Sequence, residues 1–470
     1  MPSSDTNKFI NILVLGFGFF SLFTAFQTSG LLQPTSLSSY FSKDCNASHP
    51  LKYADKIGYI NYFIIYGMLS VSNWVAAPIV AVLTPKWSMV IGAAAYCLFM
   101  GALIHPIIYA VFIAAAVLGF AAGFLWTAQG NFLMMNSNDN TIGRNSGIFW
   151  FMLQLSLVFG NLFVFVYTHE THTASATCIK PSQNTVIFIV LTAFGIAGTA
   201  IFLFLRPVKA EEDTMAEDTV SLLNTSKKIT QQPEAVSKPL VAMMNSFKLL
   251  LTPNMVLLAI CFFYTGLELE LWSGVFVTCV GRTGTLGATY LALAGMFIGI
   301  GEILGGGLFG VFGWLTSRYG RDPIVMLGMV IHLATFLGMY YVFPGECPIH
   351  RVDKDLSDGA LIDHNHTHQL IIVLVLAVMI GFGDSCYNTQ IYSILGGLYK
   401  DEKSAPAMAL FKFFQSIAAM VGFAYSGYIN LEWQLLIVAI MAVVGASTFC
   451  YVELTTFGRR GAGSRVSTNN

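Results

Sequence analysis

Long apolar runs separated by short polar stretches set the pattern of this chain. A membrane-spanning helix needs about 20 mostly apolar residues. Windows that qualify start near Phe9, Ile57, Trp87, Ile107, Asn145, Gln183, Asn254, Thr289, Pro323, Gln369, Ala405 and Trp433. The pattern therefore predicts an all-α integral membrane protein with twelve spans, numbered 1 to 12 below. One long polar interruption divides it: residues 1–205 form a first six-helix unit, 206–252 a central loop, 253–456 a second six-helix unit and 457–470 a polar tail.

The two units echo each other. "FTAFQ" at 23–27 aligns with "YTGLE" at 264–268. One common shift carries Gln129 in span 4 onto Gln390 in span 10, and Gln154 in span 5 onto Gln415 in span 11. Twelve spans in a repeated pair of six, with a polar loop between, point to the major facilitator architecture of two bundles related by an axis along the membrane normal. In that arrangement spans 3, 6, 9 and 12 face lipid and the other eight face the central space. Polar positions follow this division: the inner eight carry Gln27, Asn73, Gln129, Asn131, Gln154, Asn161, Glu268, Glu270, Glu302, Asp384, Asn388, Gln390, Lys412 and Gln415. The outer four offer His332, Cys97 and Cys450.

Intramembrane ionisable residues are costly and mark function by default. The carboxylates and the lysine all lie in the second half. At 1.5 Å per residue, Glu268 stands about 22 Å and Glu302 about 21 Å above the cytosolic ends of their helices, which predicts a shared level. Their functional reading is a proton- or cation-handling pair; the alternative is silent hydrogen bonding to backbone or to Asn and Gln neighbours. Glu270, nearer the exit and Trp272, reads as solvated. Lys412 and Asp384 lie about 10 Å and 15 Å from the cytosolic face. The lysine either pairs with Asp384 or snorkels to headgroups on its long stem. "GMFIGIGEILGGGLFG" lacks a preceding strand, so Gly301/Gly305 and Gly306/Gly310 read as small-residue helix packing rather than a dinucleotide loop. No nucleophile triad, zinc motif or phosphate loop is present, which predicts a protein that is not an enzyme, with no metal site and no cofactor.

Charge adds orientation. Only 10% of the 470 residues are charged and the formal net charge is −1, so nothing points to nucleic acid. Placing both termini in the cytosol puts sixteen Lys and Arg on that side against seven on the other, as the positive-inside rule requires. The sequons at Asn46 and Asn365 then fall on the non-cytosolic side as glycosylation sites, while the one at Asn224 stays cytosolic. Span 1 reads as a retained signal anchor. Of the eight cysteines, Cys45, Cys178 and Cys347 lie in non-cytosolic loops where disulfides can form, and Cys45–Cys178 is one candidate bridge. Eight of the nine histidines lie on that side, as solvated loop residues or as acid sensors or soft-metal ligands. In the central loop, Asp218, Leu222 and Leu223 have the form of an acidic dileucine sorting signal. The location expected is the plasma membrane or an endosomal or lysosomal membrane.

The segments "TAFQTSG" (24–30), "WTAQGN" (126–131), "TIGRNSGIFW" (141–150), "YTGLELE" (264–270), "GIGEILGG" (299–306), "GDSCYNTQ" (383–390) and "APAMALFKFFQS" (405–416) resemble the uncoordinated-93 family of major facilitator folds. That resemblance implies a twelve-span glycoprotein. Better-understood members of the family are regulators: one acts on a two-pore potassium channel complex, another escorts endosomal Toll-like receptors. It implies an ion channel or receptor as partner, beside the lipid bilayer. The competing expectation is a secondary transporter of a small polar or cationic solute, proton-coupled through the buried carboxylates. The general facilitator signature after span 8 survives in part as "GWLTSRYGRD": Gly313, Arg318, Gly320 and Arg321 fit, while Ser317 and Asp322 depart from it. Its counterpart after span 2, "APIVAVLTPKW", is almost erased. Since those turns lock the bundles through charge pairs, their decay counts against ordinary alternating access.

Overall fold

The computed structural model describes residues 4–45, 50–137, 141–171, 178–206, 248–311, 320–352, 366–399 and 403–458. Eleven helices among them are long and apolar enough to cross a membrane. One, Ile57–Ala102, has 46 residues. As a straight rod it would be about 69 Å long, more than twice the ~30 Å hydrocarbon core. It contains a break: Thr84 leaves helical geometry at φ 68°, ψ 155° immediately before Pro85. A residue before proline is disfavoured in the α region, so the chain turns there and the helix supplies spans 2 and 3. The count is thereby twelve.

The remaining spans are Ser4–Phe41 (span 1), Ile108–Met135 (4), Ile142–Glu170 (5), Pro181–Phe202 (6), Ala288–Val311 (8), Asp322–Val342 (9), His366–Leu398 (10), Ser404–Ser426 (11) and Leu431–Phe457 (12). Span 7 is composite: α-helix Pro253–Glu270, one π-helical turn Leu271–Phe276, then α-helix Val277–Arg282. Such π-turns cluster at functional positions.

Packing repeats as the sequence does. Span 1 lies on spans 5 and 6 as span 7 lies on 11 and 12; span 4 packs on the helix of spans 2 and 3 as span 10 packs on 8 and 9. The halves meet where span 2 crosses span 11 and span 5 crosses span 8. Aromatic rings fill this seam: Tyr62 stacks on Phe423 at 4.4 Å, Trp74 meets Phe413 edge-on at 5.0 Å, and Trp150 meets Tyr392 at 5.9 Å. The outer spans show large exposed apolar side chains, such as Leu98, Ile196, Val330 and Ile440, suited to lipid.

Candidate functional site

Glycine fixes the site. A Cβ on Gly301 would strike the Val378 carbonyl oxygen, and one on Gly381 would strike that of Ile298, so spans 8 and 10 touch backbone to backbone. Gly305 packs on Ser385 of the same pair, whereas Gly306 has nothing within 4 Å. The small-residue packing expected of this segment therefore belongs to Gly301/Gly305. Gly266 brings span 7 equally close to Gln415 and Ala418 of span 11.

These contacts gather the carboxylates. Glu268 and Glu302 are buried at 1% and 3% exposure, and Asp384 is half-buried beside both. Glu302 accepts a hydrogen bond from Gln154 Nε2 of span 5, across the seam. Its backbone oxygen accepts one from Ser385 Oγ at 2.8 Å. Asp384 Oδ1 accepts from Asn388 Nδ2 at 2.8 Å. Glu268 faces Asp384, and its Oε1 has no hydrogen-bond partner, with His332 Nε2 3.6 Å away.

His332 lies on lipid-facing span 9, yet it is 0% exposed and points into its own bundle. Its Nε2 lies 3.1 Å from the Ile380 carbonyl, which can only accept, so Nε2 carries the proton and Nδ1 accepts from the Tyr264 hydroxyl. Tyr387 stacks on the ring at 5.8 Å. Glu270 also departs from expectation. It is buried against Gly422 and accepts from Ser426 Oγ, at the last α-helical position before the π-turn.

Lys412 forms no ion pair with Asp384. Its Nζ donates to Gln415 Oε1 at 2.9 Å and lies 4.6 Å from the Phe411 ring centroid and 5.6 Å from that of Tyr392. Asp384 acts on it at longer range. Gln415 passes the contact on to Thr265 Oγ1 of span 7 at 3.3 Å. The other glutamines divide. Gln27 accepts from Ser156 Oγ at 2.7 Å in the first half, and Gln129 is buried there, away from the carboxylates. Gln390 is buried with its Oε1 unpartnered and its Nε2 donating to Thr389 at 3.0 Å. Asn46, Asn365, Asp218, Leu222 and Leu223 lie outside the described residues. Among those described, no group of three His, Cys, Asp or Glu is placed to hold a metal ion.

A second polar assembly, built on Arg282 at the end of span 7 and not foreseen from the sequence, joins the halves at the face opposite the termini. The Arg282 guanidinium, 0% exposed, donates to the Pro348 carbonyl at 2.6 Å and the Asp55 carbonyl at 2.8 Å, with the Asp55 carboxylate at 3.6 Å. Tyr59 Oη donates to the same Pro348 oxygen at 3.2 Å, and Arg351 donates to Ser38 Oγ at 3.0 Å. Cys279–Cys347 fastens the 344–352 loop to the end of span 7, and Cys45–Cys178 closes within the first half. At the face of the termini, bonds run within each half: Arg321 holds Glu453 at 2.9 Å and Ser393 at 2.7 Å, and Lys86 donates to the Leu203 carbonyl. Lys412, Gln415, Asp384, Asn388 and Gln154 are each partly exposed. Chemically, the arrangement gathers three carboxyl groups, with one lysine on the neighbouring span.

Comparison with known proteins gives concordant matches. A family profile described as "Ion channel regulatory protein UNC-93" matches residues 51–451. The chain is 40% identical over 456 residues to "UNC93-like protein MFSD11" of Xenopus laevis, covering 96% of this chain and 97% of that protein. It is 24% identical to "Protein unc-93 homolog A" of Danio rerio, covering 95% and 92%. Among solved structures, the nucleoside transporter NupG superposes with a TM-score of 0.63 at 13% identity, covering 94% of this chain and 99% of that one. The peptide transporter POT in complex with sulfate gives 0.62 at 13%, covering 96% and 95%. At such identities the structures show the fold alone, and that fold is the major facilitator one.

Proposed function

We propose, from the premise that this chain belongs to the UNC-93 family of major-facilitator-fold membrane proteins, that it is a regulatory, assembly or trafficking subunit for a potassium-channel-like ion channel or a receptor. The observation that carries the reading is the match of residues 51–451 to a family described as an ion channel regulator. The core supports it: Glu268, Glu302, Asp384, His332 and Lys412 all belong to the second half, and among the described residues the first half meets them through an amide, Gln154. A carrier would grip a polar solute between both halves. No catalytic role belongs to this reading.

One observation favours a second reading, a proton-coupled carrier of a small polar or cationic solute. The Gln154–Glu302 bond crosses the seam, so the protonation of a clustered carboxyl bears directly on how the halves meet. Glu302→Gln and Asp384→Asn separate the two. A carrier loses uptake by about tenfold or more at unchanged surface level, which corresponds to at least about 1.4 kcal/mol of coupling. A regulator keeps its co-purifying channel partner and leaves that channel's current unchanged.

The division at 1–205, 206–252, 253–456 and 457–470 is part of the proposal, as is a cytosolic place for both termini. The membrane proposed is the plasma membrane or an endosomal or lysosomal one, the latter addressed through Asp218, Leu222 and Leu223. This orientation predicts that Asn46→Gln and Asn365→Gln each remove one endoglycosidase-sensitive step in apparent size, and that Asn224→Gln removes none. A shift lost in the Asn224 variant alone would invert the topology.

A further inference from the structure

We propose that Lys86 and Arg206 form a binding site for the phosphomonoester headgroup of an anionic membrane lipid, at the membrane surface on the face of the termini.

The two cations meet at the end of span 6. Lys86 follows the Thr84 break, and its Nζ donates to the Leu203 carbonyl at 2.7 Å. Arg206 comes three residues after Leu203, at most about 11 Å along the chain. Its backbone is held by the Asn11 amide, which donates to the Arg206 carbonyl at 3.2 Å and accepts from the Arg206 nitrogen at 3.0 Å. Asn11 is buried and also donates to Asn136 Oδ1 at 2.8 Å, so the end of span 6 is fixed to the ends of spans 1 and 4. The exposed Arg206 guanidinium donates to Asn7 Oδ1.

Neither charge is neutralised among the described residues. Arg282 and Arg321 each hold a carboxylate, that of Asp55 and that of Glu453. Arg206 holds an amide and Lys86 a backbone carbonyl instead, and neither enters an ion pair. An ammonium has three donors and a guanidinium five, so both keep donors to spare. Two positive charges with spare donors match a phosphomonoester, which carries nearly two negative charges at neutral pH and three strong acceptor oxygens. The planar fork of Arg206 suits two of those oxygens at once.

The surroundings favour a lipid over a soluble phosphate. Trp87, Leu203 and Phe204, at and beside the Lys86–Leu203 bond, are all exposed. They belong to the ends of spans 3 and 6, which face lipid. A tryptophan next to a lysine at a span's end marks the headgroup level. A basic site between helix ends at that level meets headgroups directly, and the exposed apolar side chains lie where the acyl chains begin. A soluble phosphate would use the cations and leave that apolar wall without a partner.

The test places the purified full-length chain in phosphatidylcholine nanodiscs with increasing fractions of phosphatidic acid, a monoester, or of phosphatidylglycerol, a singly charged diester. Melting temperature is the readout. Phosphatidic acid is expected to reach its half-maximal stabilisation at a fraction about fivefold or more below that of phosphatidylglycerol, the effect of about one charge at a membrane surface. Glycerol 3-phosphate added to neutral nanodiscs supplies the monoester without acyl chains and is expected to give no shift. Lys86→Gln and Arg206→Gln keep a donor for Leu203 and Asn7 while removing the charge, and each is expected to reduce the preference to less than about twofold. Lys248→Gln removes an exposed charge from the same face and is expected to leave the preference intact. Equal responses to the two lipids, no response to phosphatidic acid, or stabilisation by glycerol 3-phosphate overturns the proposal. So does a preference that survives both Lys86→Gln and Arg206→Gln, or one that Lys248→Gln removes. The wild-type lipid comparison decides the matter even where a variant fails to fold.

Discussion

Replacing Gly381 by alanine is expected to destabilise the protein by about 3 kcal/mol, the upper end of the usual range for one added methyl group in a packed core. The new Cβ would lie against the Ile298 carbonyl oxygen and 3.1 Å from the Glu302 nitrogen, and both are backbone atoms of a continuous helix. No rotamer relieves that contact. Spans 8 and 10 must separate, and the Glu302 and Asp384 side chains they present to one another separate with them. The control is Gly306→Ala on the same span, where a Cβ meets nothing within 4 Å. It is expected to change stability by less than about 0.5 kcal/mol. Melting temperature and the monodisperse fraction after detergent extraction measure both. Equal behaviour of the two variants would show that the close crossing of spans 8 and 10 contributes nothing to the fold.

Arg282→Ala should produce the second large effect, a loss on the order of 3 to 5 kcal/mol. The guanidinium is fully buried and supplies donors to carbonyls on both halves, at Pro348 and Asp55, with the Asp55 carboxylate beside it. Removing it takes the guanidinium donor from the Asp55 carbonyl, leaves Tyr59 as the one donor on the Pro348 carbonyl, and empties a fully buried volume where the halves meet. Arg282→Lys should recover little, because two carbonyls on different elements need the two arms of a planar fork. The wild-type melting temperature should be nearly independent of salt over the range that screens exposed pairs, since Debye screening acts through solvent. A mild phenotype for Arg282→Ala, or full rescue by lysine, would make the assembly at that face incidental to how the halves are joined.

Much of the architecture was legible in the sequence because hydrophobic length and repeat spacing are linear quantities. The twelve spans, the lipid-facing four and the common level of Glu268 and Glu302 all follow from counting. What counting cannot supply is rotation about each helix axis. His332 was placed on a lipid-facing span, yet the ring turns inward, because Gly383 of span 10 leaves room for it and Tyr264 offers it a proton. Glu270 sits two residues from Glu268 and was assigned to water, but its face of the helix meets Gly422 and Ser426 of span 11. For Lys412 the depth estimate brought Asp384 near; the hydrogen bond went to Gln415, three residues on along the same helix. The Arg282 assembly depends on a loop some seventy residues downstream, and only the folded chain brings that loop to it.

The two disulfides each close within one half, Cys45 to Cys178 and Cys279 to Cys347. Neither crosses the seam, so the only covalent route from one bundle to the other is the chain running from Arg206 to Lys248. Each half is a covalently finished module. Their union is an association between tethered partners, whose occupancy is set by the effective concentration the tether provides and by the quality of the seam.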